Sequence, residues 1–257
     1  MVDNKTLSPW ATSFFGSYYP LLYESRLNDD ITKDQISFLT DIVGFTPNSK
    51  ILDLCCGHLR HSIALAKLGF HVIGLDRNNE YLLKAKKNNP KSVCNIDLLV
   101  GDMRTIPFKN IFDVVINMFS SFGYMEEDKD NFLVLKQIFE GLKRGGRVVL
   151  DLQNREWVIA NSDFNKSWDQ NEFGMIFLQE RIFDLNKSRA IVKFKVIESK
   201  KSEPIEIFHS IRLYTLTEIG NMLKKSGFKI ASVYGSYDGN KYVVDSPRMI
   251  VVAIKDS

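Results

Sequence analysis

Residues 51–76, ILDLCCGHLRHSIALAKLGFHVIGLD, decide how the rest of the chain is read. ILDLCC is an apolar run broken by one acid, the pattern of a short strand buried on both faces. RHSIALAKLG has helical periodicity and stops at Gly69, and HVIGLD is apolar again and closes on Asp76. Strand, helix and strand in so short a span make a βαβ unit, and such a unit implies a parallel sheet. The turn inside it, CCGHLR, sits where a nucleotide-binding loop would, yet it holds a lone glycine, Gly57.

The alternation continues outward from this unit. NEYLLKAKKNN reads as a helix that stops before Pro90, and IDLLV (96–100) and FDVVINM (112–118) read as strands. KDNFLVLKQIFEGLK (129–143) reads as a helix, and RVVLDL (147–152) as a fifth strand after the turn RGG. An α/β, doubly wound, Rossmann-like sheet accounts for this order. From about 173 to 214 the texture changes to MIFLQERIFDL, AIVKFKVIES and IEIFHSIRLY, joined by short polar turns, which predicts an antiparallel β insert after the fifth strand. TLTEIGNMLKKSG returns to helix, with Thr217 as the expected cap and Gly227 as the stop. KIASVYGSY and PRMIVVAI finish the sheet.

Upstream, the apolar residues Ile31, Ile36, Leu39, Ile42 and Val43 fit one helical face. Before them lies an aromatic segment, Trp10, Phe14, Phe15, Tyr18, Tyr19 and Tyr23, also at helical spacing. It is either a helix packed on the core or a lid whose rings line a pocket. The expected division is therefore an N-terminal aromatic helical lid, 1–29, and a main domain, 30–257, carrying the insert.

Composition narrows the function. The 257 residues suit one large α/β domain, and 34 Lys plus Arg against 31 Asp plus Glu give no basic patch for a polyanion, so no nucleic-acid partner is expected. Cys55, Cys56 and Cys94 are too few and too oddly placed for a disulfide framework, which suits a reducing, cytoplasmic setting. No leader-like segment opens the chain and no apolar run is long enough to span a bilayer, so no membrane partner is expected. Cys55, Cys56, His58 and His61 are crowded, but the adjacent cysteines point to opposite faces of a strand end, and no metal is expected there.

Asp76 follows Asp53 by 23 residues, the spacing at which an acid closing the second strand accepts hydrogen bonds from a ribose diol. Asp102 directly follows the third strand. A nicotinamide-dinucleotide loop would need a fuller set of glycines to admit a pyrophosphate.

LDLCCGHLRHSIALAKLGFHVIGLD, GDMRTIPF, FDVVINMFSSFGYM and GLKRGGRVVLDL resemble, in order and spacing, the successive motifs of class I S-adenosylmethionine-dependent methyltransferases. The resemblance covers about residues 30 to 256 and is closest to small-molecule members. It implies a seven-stranded, mostly parallel sheet whose last strand is antiparallel to the rest, and S-adenosyl-L-methionine as cofactor. It further implies that Asp53, Cys55 and Gly57 lie beside the methionine portion, that Asp76 holds the ribose, that Asp102 and Met103 flank the adenine, and that Asn117 and Met118 face the sulfonium region.

The family's loop carries three small positions, held here by Cys55, Gly57 and Leu59. A leucine in a left-handed conformation would cost roughly 1–2 kcal/mol. Because LRHSIALAKLG reads as helix from its first residue, Leu59 is expected in an ordinary first turn. Arg60, where the loop enters the helix, is the candidate partner for the cofactor carboxylate.

The implied activity is methyl transfer to a small-molecule acceptor by in-line displacement, nitrogen preferred over oxygen because no general base is evident. A nucleic-acid methyltransferase and a non-catalytic relative that only binds are the alternatives. His209, on the insert, is the candidate base if one is needed. Candidate substrate contacts are Tyr18, Tyr19, Phe122, Tyr124, Arg155, Trp157, Arg212 and Tyr214, each of which could instead serve packing or surface charge. Oligomeric state is not legible.

Overall fold

Apolar strands with both faces covered need helices on each side, and the chain folds that way. In this computed structural model, residues 9–23, 27–88, 96–161, 166–171, 174–198 and 203–256 are described. Residues 1–8 and 24–26 of the expected lid, Pro90 and Cys94 lie outside them.

Among the described residues a seven-stranded sheet is built from β1 (Lys50–Leu54), β2 (His71–Asp76), β3 (Ile96–Val100), β4 (Phe112–Asn117), β5 (Leu142–Gln153), β10 (Phe228–Tyr234) and β11 (Arg248–Lys255). Its order is β10-β11-β5-β4-β1-β2-β3, with β1 paired in parallel to both β2 and β4. β11 runs antiparallel to β5 and to β10, as the resemblance implied for the last strand. Connections leave β1 toward β2 on one side and reach β4 on the other, so a crevice opens at the carboxyl ends of β1 and β4.

Alternate residues feed two cores. Leu52, Leu54, Val115, Val148 and Leu150 lie in one, and Ile51, Val114, Ile116 and Val149 lie in the other. The helices covering the faces include α3 (Asp29–Ser37), α4 (Arg60–Lys67), α5 (Asn79–Asn88) and α6 (Asp128–Gly141). Asn28 caps α3 by accepting the Ile31 N–H (2.9 Å), and a π turn, Phe38–Ile42, continues it. α7 (Arg155–Ala160) follows β5. α8 (Leu216–Lys225) is capped by Thr215, not Thr217: Thr215 and Glu218 form a reciprocal capping box, which needs an acid three residues after the cap.

The insert is a separate antiparallel sheet, β6-β7-β8-β9, comprising β6 (Lys166–Gln170), β7 (Ile176–Asp184), β8 (Arg189–Ile197) and β9 (Ile205–Arg212). The sequence reading did not include β6, whose residues are all exposed and so lack a buried alternation. Phe177, Val192, Phe194, Val196 and Ile207 of this sheet receive Phe14 from α1 (Pro9–Phe14), and Tyr18 and Tyr19 of α2 (Tyr18–Leu22) join the cluster. No described helix is long and apolar enough to cross a membrane.

Candidate active site

Where β1 ends, the backbone N–H groups of Cys55 and Cys56 both donate to the Leu75 carbonyl (2.7 and 3.1 Å), so the loop turns tightly against β2. The turn is made by three left-handed residues at alternate positions: Cys55 (φ 65°), Gly57 (φ 52°) and Leu59 (φ 66°). Leu59 therefore does not sit in an ordinary first turn; it is the residue before α4, and the expectation from periodicity fails there. Its strain is offset by burial, since the fully buried side chain packs with Cys56, Leu82 and Ala85. That direction also carries the leucine away from the crevice.

A Cβ at Gly57 would meet no protein atom within 4 Å, so the loop backbone is open to a ligand there. Two cavities flank it. One, of about 370 Å³, is lined among others by Phe15, Tyr19, Cys55, Gly57, Asp76, Asp102, Met103 and Tyr124. The other, of about 550 Å³, is lined by Asp53, Cys55, Gly57, His58, Arg60, Met118 and Phe119, among others. Tyr19, Cys55, Gly57 and Ser121 belong to both, so the cavities adjoin across the loop.

Asp76 is buried at the floor of the first cavity. Its carboxylate accepts the Gly57 N–H (2.8 Å) and the Asn78 N–H (2.8 Å). Burial raises its pKa, with those N–H groups opposing. Asp102 is also on this wall. Burial pushes it up, but Arg104 grips both carboxylate oxygens (3.0 and 2.7 Å) and the net effect holds it below the usual range. Met103 lies against Cys55, sulfur to sulfur at 3.6 Å.

In the second cavity Asp53 is almost fully buried and accepts the Ser62 hydroxyl proton (2.6 Å); burial pushes its pKa up to about 6. Arg60 donates through Nη1 to Thr32 Oγ1 (3.0 Å) and to Gln35, while its Nη2 is buried without a partner. The His58 ring lies 4.0 Å from that of Tyr81, and burial lowers its pKa to about 4.

The N-terminal segment closes the crevice from above. Asn78 donates to the Phe15 carbonyl (2.9 Å) and Tyr81 to the Gly16 carbonyl (3.1 Å), which ties the segment to the sheet side. Asn78 and Tyr81 escaped the sequence reading; the only local signal was an Asn two residues past Asp76, a short-range backbone cap. The loop after β4 docks onto the insert: Gly123 (φ 107°) accepts the Arg212 N–H (2.8 Å), and a Cβ there would lie 2.4 Å from the Arg212 oxygen.

The remaining candidates scatter. Tyr19 and Tyr124 line the crevice. Phe122 and Tyr214 are turned into the main core, and the Tyr214 hydroxyl donates to Asp128 (2.7 Å). Tyr18 donates its hydroxyl to Glu198, and Trp157 packs beside Val158, Ala190 and Ile211. Arg155 and Arg212 line a separate wide groove of about 1060 Å³ beside the insert, where Arg212 is paired with Glu218 (2.5 Å). Asn117 is fully buried and lines neither cavity; its amide donates to the Leu54 carbonyl (3.0 Å), beneath Cys55. His209 is buried among Phe14, Phe194 and Tyr124, with Nε2 3.3 Å from the Tyr23 hydroxyl. Burial lowers its pKa to about 3.

A protein-family model described as a methyltransferase domain matches residues 51–146. Over 238 residues the chain is 31% identical to the dTDP-3-amino-3,4,6-trideoxy-alpha-D-glucopyranose N,N-dimethyltransferase of Streptomyces venezuelae, covering 89% of this chain and 96% of that one. It is 27% identical over 205 residues to the cypemycin N-terminal methyltransferase of a Streptomyces species, covering 79% and 81%. A solved S-adenosylmethionine-dependent methyltransferase from Clostridium acetobutylicum superposes with a TM-score of 0.79 at 17% identity, over 96% of this chain and 100% of that one, a likeness of fold.

Proposed function

The chain belongs to the class I S-adenosylmethionine-dependent methyltransferases, with S-adenosylmethionine as cofactor, and on that premise we propose that it methylates an amine nitrogen of a small molecule. The observation that carries the reading is the crevice itself, an acid-floored cavity that adjoins, across Gly57, a second lined by Arg60, whose Nη2 is buried without a partner. When bound, the cofactor supplies a methyl group on a positively charged sulfur.

The residues fit such a molecule. Asp76 would accept hydrogen bonds from the ribose hydroxyls, and the bare backbone at Gly57 would let the ligand lie against the loop. Arg60 Nη2 would pair with the carboxylate, and Asp53 and Cys55 would sit beside the methionine portion. Asp102 and Met103 would flank the adenine, with Asp102 held in place by Arg104. Met118 would face the sulfonium region, and Asn117 would act from beneath by supporting Cys55. Residues 9–23 would serve as a lid, because Phe15 and Tyr19 line the crevice while Phe14 anchors the segment to the insert.

Nitrogen is favoured over oxygen because three acids of the crevice are already engaged and the other two that line it, Glu80 and Asp29, are solvent-exposed. Asp53 is engaged by Ser62, Asp76 by two backbone amides and Asp102 by Arg104. Burial raises the Tyr19 and Tyr124 phenols and makes His58 a weak base. A neutral amine needs no base, and the rings of Phe15, Tyr19 and Tyr124 suit a cationic product. The names of the two relatives, one an N,N-dimethyltransferase and the other an N-terminal methyltransferase, support the same acceptor atom.

Calorimetric titration with S-adenosylmethionine and its demethylated product comes first, followed by label transfer to small primary and secondary amines against matched alcohols. Binding with transfer to amines is expected. Transfer confined to alcohols overturns the nitrogen reading, and transfer to RNA or DNA with salt-sensitive binding overturns the small-molecule reading.

A further inference from the structure

The chain leaves β4 through Phe119 and Ser120, two adjacent left-handed residues (φ 56° and 58°). Neither is glycine, and a strained pair of this kind persists only where its surroundings over-determine it. The surroundings converge on one carboxylate. Asp151, fully buried in β5, accepts the Phe119 N–H (2.8 Å) and the Tyr237 hydroxyl (2.7 Å) on Oδ2, and its main-chain oxygen accepts the Ser120 N–H (2.8 Å). Arg248 of β11 donates to Asp151 Oδ1 through Nε (2.8 Å) and reaches Ser120 Oγ through Nη2 (3.0 Å).

What the turn presents lies on its other side. The Phe119 ring lines the second cavity, sits 5.5 Å from the Arg60 guanidinium and meets Tyr23 edge-on at 6.0 Å. Ser121 lines both cavities at their junction. Asp151, Tyr237 and Arg248 line neither cavity; they meet the crevice through Phe119–Ser121, and Tyr237 also touches Gln35, which accepts from Arg60.

We propose that Asp151, Arg248 and Tyr237 are positioning residues, a buried brace that holds Phe119–Ser121 in its strained turn and so fixes the wall against which the cofactor's methyl group is presented. This rests on the methyl-transfer reading above. A buried ion pair is often replaceable by apolar residues at no loss of stability, so its place beneath a strained turn gives it a reason beyond packing. Displacement of that wall by about 1 Å is enough to lower a transfer rate by about 100-fold.

The test uses S-adenosylmethionine carrying carbon-13 in its methyl group, bound to the full chain. In Asp151→Asn the cofactor affinity is expected to stay within about threefold while the bound methyl resonance shifts or broadens. Adding Ser120→Gly, which adopts the left-handed turn without strain, is expected to bring the resonance back toward its wild-type position. A merely structural role for Asp151 would not be rescued by a glycine in the turn. Should Asp151→Asn fail to fold, Arg248→Lys, which keeps a cation beside Asp151 and gives up the contact to Ser120, carries the same comparison. An unchanged resonance with cofactor bound overturns the brace alone. Absence of cofactor binding to the wild-type chain overturns the methyl-transfer reading and the brace with it.

Discussion

Leu59 offers a measurement in which backbone handedness alone decides the outcome. Its side chain is fully buried among Cys56, Leu82 and Ala85, so Leu59→Ala is expected to cost about 3–5 kcal/mol through lost contacts and a cavity. Going on to glycine removes one more carbon, about 0.8 kcal/mol, and adds about 0.5–1 kcal/mol of chain entropy. In a right-handed first turn Leu59→Gly would therefore lie about 1.3–1.8 kcal/mol below Leu59→Ala. At φ 66° alanine keeps the left-handed strain, about 1–2 kcal/mol, and glycine does not. The two variants are thus expected to be equally stable to within about 0.8 kcal/mol, the sum of those terms. Urea unfolding midpoints at matched slopes measure the difference. A glycine variant about 1.5 kcal/mol less stable than the alanine variant would refute the argument that this position carries strain.

Three further outcomes follow from the geometry. Arg60→Ala removes the buried, unpartnered Nη2, and loss of a charge-assisted bond of about 1.5–3 kcal/mol predicts S-adenosylmethionine binding weaker by about 10- to 150-fold; calorimetry showing unchanged affinity removes the carboxylate assignment. For Asp53, burial raises the folded pKa from 3.8 to about 6, so between those values the folded chain binds more protons than the unfolded one and stability falls as pH rises. Asp53→Asn is expected to gain about 2.4 kcal/mol relative to wild type on going from pH 4 to pH 7 without cofactor; parallel stability curves for the two proteins would contradict this. Gly123→Ala puts a Cβ 2.4 Å from the Arg212 oxygen at φ 107°, and a loss of about 2–4 kcal/mol with loosening of the insert is expected. Hydrogen exchange at the Arg212 amide, which is bonded to Gly123, reports the loosening; unchanged protection there counts against the docking role.

Much of the fold was legible because its signals are local. The buried runs from Ile51 to Leu152 alternate with helical periodicity, so the parallel sheet and the position of Asp53 and Asp76 at its strand ends follow from neighbours in sequence. Ser226 and Gly227 likewise end α8 by short-range backbone geometry. Where two local signals competed, the reading slipped. Thr217 and Thr215 are both cap residues, and only the partner three positions on, Glu218, distinguishes them.

The candidate site was half legible for a related reason. The loop, Asp76, Asp102 and Arg60 are tied to strand ends, and a strand end has a defined place in a doubly wound sheet. The aromatic candidates had no such anchor, since periodicity identifies a shared face without saying what covers it. Phe14, Phe15 and Tyr19 follow one another closely, yet Phe14 enters the insert's core while Phe15 and Tyr19 turn to the crevice. Phe122 and Tyr124 part in the same way, one to the main core and one to the cavity wall.

The sequence by itself determined the succession of strands and helices in the main sheet and the acids at the strand ends, because each is fixed by periodicity or turn chemistry over a few residues, while the resemblance of its motifs supplied the antiparallel last strand and the family of the loop. Only the tertiary structure decided the left-handed turn at Leu59, the sorting of aromatics between core and crevice, and the Asp151–Arg248 contact, whose partners lie 97 residues apart. Those features depend on which distant segments meet, and contact between distant segments leaves no mark in local composition: a buried leucine can offset a strained backbone only when the cluster that receives it has already formed.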